Sequence, residues 1–339
     1  MTAKDNDMAA ERPNADPILD ATDLKKYFTS ETGFLEQLIG SKTHVKAVDG
    51  VNIHIDRHET LGLVGESGCG KSTLGRLLAR LYDPTDGRIY FDGERIDDIS
   101  GSRLKEIRKR IQVIFQDPMS SLNPRKTVGE IVGKPLKVHD LCDGSTDRRQ
   151  RVETLFEEVG LQRSHLDRYP HEFSGGQRQR VGIARALAVK PDLIIADEPV
   201  SALDVSVQAQ IINLLERLQA EYGLAYLFIA HDLSVIKYIA DRVAVMYLGE
   251  IVETGPTEAI FYSPQHPYTR ALLNSIPDTK GTAGEHRDVV LKGTPPSPTD
   301  PPAGCSFHTR CPEYIDGQCE KSNPELTAVS DAKGALTSA

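Results

Sequence analysis

The sequence predicts an α/β fold built on a parallel β-sheet, and three features of the pattern support this prediction. Residues 59–81 indicate a buried strand around residues 61–64, a glycine-rich turn and a helix that begins at Lys71. Two later apolar runs, residues 193–196 and 226–230, each end at a polar residue. Runs of this kind are typical of strands buried in a parallel sheet.

The remaining elements alternate along the chain in the same way. Residues 47–56 and 87–96 look like antiparallel strands, and the second contains an Asp-Gly turn signal. Residues 242–255 predict a hairpin that turns near Gly249, and a further helix follows Gly175 and Gly176. The helix from Lys71 should carry apolar residues on one face, namely Leu74, Leu77, Leu78 and Leu81. Residues 149–161 predict another amphipathic helix, through Val152, Leu155, Phe156 and Val159.

Composition limits the classes of protein that fit this chain. The 339 residues include 40 Lys and Arg against 49 Asp and Glu, a balance of −9 that argues against a basic nucleic-acid binder. The hydrophobic fraction of 39% rises to about 47% when the 27 glycines are added, so a packed core is expected. No apolar run approaches the ~18 residues of a membrane-spanning helix. The first twenty residues lack a secretory signal, and five scattered cysteines suit a reducing cytoplasm.

Residues 65–72 fit the pattern G-x-x-x-x-G-K-[ST], between a strand and a helix as its mechanism requires. Successive backbone N–H groups and the helix N-terminus would surround a phosphate, and Lys71 would reach the β and γ oxygens. Ser72 would supply a hydroxyl ligand to Mg²⁺. An ordinary glycine-rich turn is the weaker alternative. The predicted phosphate-binding residues are Gly65, Glu66, Ser67, Gly68, Cys69, Gly70, Lys71, Ser72 and Thr73.

Two carboxylates follow the apolar run at residues 193–196. Asp197 would hold Mg²⁺ through water, and Glu198, one residue beyond the strand, would be free to polarise an attacking water as general base. An acidic strand end before a turn at Pro199 is the alternative interpretation. The phosphate loop upstream favours the catalytic one.

Ser174, Gly175, Gly176 and Gln177 form a second donor-rich helix start that suits anion binding. The stretch FSGGQRQRVGIARAL, residues 173–187, resembles the signature motif of ATP-binding cassette ATPases. In that family the signature closes over the ATP held by the opposite cassette. The resemblance covers roughly residues 22–275 and implies the P-loop NTPase fold of that family. This fold has a RecA-like core, an antiparallel β subdomain and an α-helical subdomain, here followed by a C-terminal extension.

The other motifs of the family match in order. Gln116 resembles the Q-loop glutamine that senses Mg²⁺ and the attacking water, Asp204 lies in a D-loop-like SALD, and His231 resembles the switch histidine. Tyr27 is placed to stack on adenine as the family's A-loop aromatic, although the polar insertion at residues 29–43 has no assigned role. The resemblance thus implies three catalytic residues, Glu198, His231 and Gln116. It also implies three Mg²⁺ ligands, Ser72, Gln116 and Asp197.

The segment SPQHPYTRALL, residues 263–273, resembles the start of the C-terminal extension in ATPase subunits of oligopeptide and dipeptide importers. We therefore predict a flexible N-terminus (1–20), an ATPase domain (21–262) with a helical subdomain at about 117–183, and an extension (263–339). The implied function is ATP hydrolysis at a composite dimer interface that drives uptake of peptides or related solutes. The implied partners are a second, different cassette subunit, two transmembrane permease subunits and, indirectly, an extracytoplasmic solute-binding protein. Nucleic acid is not an expected partner, and the expected location is peripheral, at the cytoplasmic face of the cell membrane.

Other functions stay open at this point. An importer ATPase of this type could instead serve nickel, opines or oligosaccharides, since the ATPase does not touch the solute. Non-transport cassette ATPases usually carry two cassettes or a long coiled coil in one chain, and exporter ATPases generally lack the HPYTRALL extension. This chain shows neither two cassettes nor a long coiled coil, and it contains the HPYTRALL extension.

Cys305, Cys311 and Cys319 cluster in a proline-rich tail with the spacing C-x₅-C-x₇-C. Importer subunits of this subfamily can carry an iron–sulfur cluster on four cysteines in a similar tail, but no cysteine follows Cys319 here. His308 is the alternative fourth ligand. Because four ligands are the usual requirement, we expect reduced, unmetallated cysteines rather than an iron–sulfur cluster.

Overall fold

The computed structural model describes residues 17–30, 43–274, 293–329 and 335–338, and two β-sheets organise them. In chain order the strands are β1 (Leu19–Ser30), β2 (Thr43–Ile55), β3 (Thr60–Val64), β4 (Asp86–Phe91), β5 (Glu94–Arg95), β6 (Ile111–Ile114), β7 (Leu193–Asp197), β8 (Ala225–Ile229), β9 (Arg242–Tyr247), β10 (Glu250–Pro256), β11 (Thr327–Ala328) and β12 (Leu336–Thr337). The helices are α1 (Lys71–Leu78), α2 (Gly101–Arg110), α3 (Pro118–Ser121), α4 (Val128–Val138), α5 (Ser145–Glu158), α6 (Gly175–Leu187), α7 (Val205–Tyr222), α8 (Leu233–Ile239), α9 (Thr257–Tyr262) and α10 (Pro267–Asn274).

The larger sheet has the order β11-β12-β10-β9-β3-β8-β7-β6. Strands β9, β3, β8, β7 and β6 are parallel, whereas β10 turns back antiparallel to β9. The predicted α/β sheet is therefore confirmed, including both apolar runs as parallel strands. The predicted hairpin is also confirmed, because β9 and β10 are joined at Leu248 and Gly249, both with positive φ.

The smaller sheet is antiparallel, with the order β2-β1-β4-β5. It confirms the antiparallel strands predicted at residues 47–56 and 87–96, and the Asp-Gly turn joins β4 to β5 at Asp92 and Gly93. Strand β1 begins at Leu19, so the boundary predicted at residue 21 falls inside a strand. Residues 1–16 and 31–42, which hold most of the predicted N-terminus and of the insertion, lie outside the described residues.

Side chains of the larger sheet alternate between two hydrophobic cores because successive residues of a strand point to opposite faces. Tyr226 and Phe228 pack with the helices α4 to α8 on one face. Leu227 and Ile229 pack on the other face with α1 and the smaller sheet. The central strands are thus covered on both sides, which explains their continuous apolar runs.

Helices α3 to α5 and most of α6 occupy the segment predicted as a helical subdomain. Helix α5 begins at Ser145, four residues before the predicted start, and buries Val152 and Phe156 as expected. The prediction for Leu81 was wrong: α1 ends at Leu78, and Leu81 is 42% exposed. The chain leaves the helix at Arg80, which has a φ of 53° and whose buried guanidinium donates to the carbonyl of Ile96.

The last part of the chain returns to the larger sheet. Strand β12 pairs with β10, and α9 and α10 follow β10 directly. Within the residues that the structure describes, none of the helices has the length and apolar character needed to span a bilayer.

Candidate nucleotide-binding site

The predicted site residues follow the carboxyl ends of four parallel strands. The phosphate loop, residues 65–70, follows β3, and Gln116 comes two residues after β6. Asp197 is the last residue of β7, and His231 comes two residues after β8. Because these strands are parallel neighbours, their ends lie at one edge of the sheet, where α/β proteins bind ligands.

The phosphate loop depends on its glycines. Gly65, Gly68 and Gly70 have φ values of 151°, 82° and 111°, which side chains other than hydrogen rarely tolerate. A Cβ on Gly65 would lie 2.2 Å from the carbonyl oxygen of Met246, and one on Gly70 would lie 2.1 Å from that of Ala47. Strands β9 and β2 therefore press directly on the loop, and the glycines allow this approach.

Lys71 opens α1 and is buried, with 5% of its surface exposed. Its ammonium donates to the carbonyl oxygens of Gly65, at 2.7 Å, and Glu66, at 2.9 Å. The β9–β10 turn adds a further contact, since the N–H of Gly249 donates to the carbonyl of Cys69 at 2.9 Å. The Lys71 ammonium, which the sequence predicts to contact the phosphates, is thus held by carbonyl groups of the loop.

Ser72 and Asp197 meet although 125 residues separate them. The Ser72 hydroxyl donates to Asp197 Oδ1 at 2.8 Å, and Asp197 is 4% exposed. Burial raises the pKa of Asp197. A hydroxyl and a carboxylate oxygen side by side are the hard oxygen donors that Mg²⁺ prefers, so these two residues fit the predicted metal.

Glu198, Gln116 and His231 form one hydrogen-bonded group. Gln116 Nε2 donates to Glu198 Oε2 at 2.8 Å, and His231 Nδ1 lies 3.3 Å from the same oxygen. Glu198 has a φ of 46°, and its N–H donates to the carbonyl of Ile229 at 2.9 Å. Glu198 thus lies in a left-handed conformation just beyond the strand that ends at Asp197. The structure thus brings together all three predicted catalytic residues.

The second predicted anion site, residues 174–177, is the capped start of α6. The Ser174 hydroxyl accepts from the N–H of Gln177 at 3.3 Å, and Gln177 Oε1 accepts from the N–H of Ser174 at 3.0 Å. Gly176 lets α6 approach α7, since a Cβ there would lie 2.4 Å from Val207. Each side chain thus accepts from the backbone N–H of the other residue, and Ser174 is exposed.

Two other predicted residues lie near these elements. Tyr27 pairs across the smaller sheet with Lys46, the neighbour of Ala47, and Ala47 presses on the phosphate loop. The Tyr27 hydroxyl donates to Asp49, and the Lys46 ammonium lies 5.6 Å from the ring centroid. Asp204 stands exposed before α7. Adenine stacking by Tyr27 and a D-loop role for Asp204 stay predictions.

The cysteine cluster lies in the described part of the tail. The Cys305 N–H donates to the Cys319 carbonyl at 2.8 Å, and His308 Nδ1 donates to the Cys305 carbonyl oxygen, 2.8 Å away. Burial raises the pKa of Cys305 and Cys311, which disfavours the thiolate that binds metals. Within the described residues, no group of three His, Cys, Asp or Glu side chains is arranged to hold a metal ion. The raised thiol pKa values do not favour a four-ligand cluster, and reduced, unmetallated cysteines stay a prediction.

Sequence reasoning missed two residues that reach the phosphate loop from the last quarter of the chain. The Tyr268 hydroxyl accepts from the N–H of Glu66 at 2.8 Å, and the Arg310 guanidinium donates to both Glu66 carboxylate oxygens. Tyr268 lies in the HPYTRALL segment, which had served only as a family marker. Nothing in the sequence around Arg310 indicates such a contact.

Comparisons with known proteins agree with this geometry. Residues 48–201 match a family described as ABC transporter, and residues 252–319 match one described as the C-terminal region of oligopeptide/dipeptide transporters. The chain is 55% identical over 315 residues to the oligopeptide transport ATP-binding protein AppF of Bacillus subtilis, covering 92% of this chain and 94% of AppF. It is 49% identical to the Escherichia coli oligopeptide transport ATP-binding protein OppF, covering 91% of this chain and 92% of OppF.

A solved structure shares the fold. The ATP-binding cassette MJ0796, determined as a dimer in a post-hydrolysis state with ADP and phosphate, superposes with a TM-score of 0.62 at 30% identity. The match covers 70% of this chain and 98% of MJ0796. About 30% of this chain therefore has no counterpart in MJ0796, and the chain also contains the region, residues 252–319, that is similar to the oligopeptide/dipeptide transporters.

Proposed function

This chain belongs to the ABC transporter family, as an ATP-binding subunit of the oligopeptide and dipeptide importers, and we propose how its site serves that role. It hydrolyses ATP, and this hydrolysis energises peptide import. The observation that carries the proposal is the single sheet edge at which the phosphate loop, the Ser72–Asp197 pair and the Glu198 group meet. A triphosphate, its metal ion and an attacking water need these three groups within reach of one another.

The phosphate loop and its neighbours would bind the nucleotide. Backbone N–H groups of the loop and the start of α1 suit the phosphate oxygens, and the Lys71 ammonium adds a charge-assisted contact. Ser72 and Asp197 would hold Mg²⁺, which when bound neutralises charge on the β and γ oxygens. Tyr27, beside the loop on β1, would pack against the base.

Glu198 would act as general base. Its side chain is 16% exposed, and it stands one residue beyond Asp197. It would therefore lie beside the Ser72–Asp197 pair, towards the γ-phosphate. Gln116 and His231 hold one of its oxygens, which orients the carboxylate and leaves the other oxygen to accept a proton from water. Their role in this scheme is to fix the base and to contact the γ-phosphate.

A second cassette would complete the site. Ser174 and Gln177 bond locally and Ser174 is exposed at the helix start, which suits contact of the segment 174–177 with a nucleotide held by another chain. MJ0796 forms a dimer of cassettes, and we propose the same arrangement here, with a related but different second subunit. Closure on ATP and separation after hydrolysis would move two permease subunits at the cytoplasmic face of the membrane.

Transport by the assembled importer tests this function. The chain should be produced with its cognate permease subunits, partner cassette and solute-binding protein in vesicles, and uptake of labelled tripeptides and tetrapeptides measured with ATP inside. ATP-dependent peptide uptake that is lost with Lys71→Ala is the expected result. ATP-dependent uptake of nickel, an opine or an oligosaccharide, without peptide uptake, would contradict the solute but keep the ATPase assignment. Peptide uptake that persists with Lys71→Ala would contradict the function of this chain.

A further inference from the structure

One residue of the phosphate loop, Glu66, is held on three sides by other groups. The Lys71 ammonium donates to its carbonyl at 2.9 Å, and the Tyr268 hydroxyl accepts from its N–H at 2.8 Å. The Arg310 guanidinium donates to its carboxylate. The phosphate-binding lysine and two residues near the end of the chain therefore share one anchor point.

The contact between Arg310 and Glu66 is well formed. Two nitrogens of the guanidinium donate to two carboxylate oxygens at 2.6 and 3.0 Å, a bidentate geometry that constrains both side chains. The Arg310 side chain is 4% exposed and that of Glu66 is 24% exposed, so the pair is shielded from most of the solvent. One of these two nitrogens, Nη2, also lies 3.4 Å from the carbonyl oxygen of Gly293, to which it donates.

An aromatic cluster fixes both groups relative to the sheet. The Tyr268 ring, fully buried, lies 4.7 Å from that of Tyr247 at the end of β9, and Phe307 lies 5.2 Å from Tyr247 and 5.5 Å from Tyr268. The Arg310 guanidinium lies 5.9 Å from the Tyr247 ring. Arg310 and Tyr268 thus reach Glu66 from a rigid, desolvated support rather than from a loose tail.

We propose that Arg310 and Tyr268 are positioning residues that set the affinity of the chain for ATP, by pairing the Glu66 carboxylate and fixing its backbone. The physical reason is the charge of the ligand. An unpaired carboxylate in a loop that binds a polyanion repels it, whereas a carboxylate paired with a guanidinium does not. Tyr268 meanwhile accepts from an N–H group in a partly buried position.

The inference rests on ATP binding by this chain and not on the identity of the imported solute. It links the extension to the nucleotide site within one chain, so the coupling must be reciprocal. If the extension strengthens ATP binding, bound ATP must in turn stabilise the docked extension.

The test compares charge removal with charge rebalancing, using ATP binding by the purified full-length chain. Arg310→Met should raise the dissociation constant for ATP by about tenfold, which corresponds to about 1.4 kcal/mol. Glu66→Gln in the Arg310→Met background should bring it back to within about threefold of wild type, because no unpaired carboxylate remains. Glu313→Gln, which makes the same change at an exposed partner of Arg270, should give no rescue in that background.

Two further measurements keep the proposal testable if Arg310→Met folds poorly. Tyr268→Phe keeps the aromatic ring but removes the acceptor, and should weaken ATP binding by about threefold to tenfold. In the wild-type chain, adding ATP should slow amide hydrogen exchange in residues 293–329, and Tyr268→Phe should reduce this protection.

The outcomes separate this inference from the proposed function. A wild-type chain that binds no ATP would contradict the function itself. A wild-type chain that binds ATP, with Arg310→Met or Tyr268→Phe binding equally well, would overturn only the positioning role. An Arg310→Met defect that Glu66→Gln does not relieve would assign Arg310 to packing of the extension and equally overturn the proposal.

Discussion

The chain contains two glycine-containing helix starts suited to anions, and they are built in opposite ways. The phosphate loop before α1 is in contact with β2, with β9 and its turn, and with Tyr268 and Arg310. The start of α6 is capped by its own residues, with Ser174 and Gln177 bonded to each other. The backbone of the first is contacted by several distant segments, whereas the polar side chains of the second bond within its own turn and its Gly176 packs on α7.

This difference indicates which site should bind nucleotide alone. Donors held from several directions cost little reorganisation when an anion arrives, so the phosphate loop needs no second chain for binding. A helix start whose side chains already bond within its own turn offers few contacts to a free nucleotide. This arrangement suits a surface that meets a nucleotide already bound by a partner chain. The contrast therefore supports binding at the phosphate loop in one chain and completion by the α6 start of another.

The largest expected effect tests whether chemistry can be separated from binding at the first site. Glu198→Gln should lower ATP turnover by about 10² to 10⁴, because an amide cannot accept the proton of the attacking water. ATP affinity should stay within about threefold, since the phosphate loop is unchanged. Steady-state turnover of the assembled importer and nucleotide binding by the chain measure the two quantities.

Lys71→Ala is the matched control and should show the opposite pattern. Loss of the charge-assisted contact removes about 1.5–3 kcal/mol from nucleotide binding itself. If Glu198→Gln hydrolysed ATP at a near wild-type rate, the general base would have to be another residue.

A smaller effect concerns the support beneath the phosphate loop, which the α6 start lacks. His266 precedes α10, its Nδ1 accepts from the N–H of Tyr268 at 3.0 Å, and it is 3% exposed. Burial lowers the pKa of His266 to about 4. Below pH 6.5 the unfolded chain takes up a proton there and the folded chain does not until about pH 4, so stability falls as the pH drops through this window. Lowering the pH from 7 to 5 should therefore reduce the free energy of unfolding by about 2 kcal/mol through this residue.

Denaturant unfolding of wild type and His266→Asn at both pH values measures this loss. Asparagine keeps an acceptor at the helix start but does not titrate, and asparagine is favoured at this position. The buried Glu253 also titrates differently in the folded chain, but it accepts from the backbone N–H of residue 266, which the substitution keeps. A pH dependence that is the same in the two proteins would contradict the role of His266.

The sequence allowed prediction of the phosphate loop and the strand ends because each depends on residues that are neighbours in the chain. The Gly pattern, the apolar runs and the polar residue after each strand are local signals. Arg310 and Glu66 are 244 residues apart, and no local pattern records which carboxylate a buried arginine meets. The prediction that Leu81 lies on the apolar face of α1 was wrong for the same reason. The left-handed turn at Arg80 accompanies a contact with Ile96, which is not a neighbour in the chain.

The smallest expected effect on ATP binding comes from a substitution at the start of α6, and it tests the contrast between the two helix starts most directly. Ser174→Arg places a long cation at the exposed Ser174 position before α6, which in the proposed arrangement serves the nucleotide of the partner cassette. ATP binding by the isolated chain should therefore stay within about twofold of wild type, the range of a surface change. ATP-dependent association with the partner cassette, measured by sedimentation in the Glu198→Gln background, should be lost.

Ser102→Arg, at an exposed position of α2, is the control that adds the same charge elsewhere. It should leave both binding and association unchanged, since the residue lies on neither helix start. A loss of ATP binding by the isolated Ser174→Arg chain would place the α6 start in the nucleotide site of its own chain. Association that survives the substitution would show that closure does not use this surface. Either result would remove the distinction between a site oriented by its own fold and one completed by a partner.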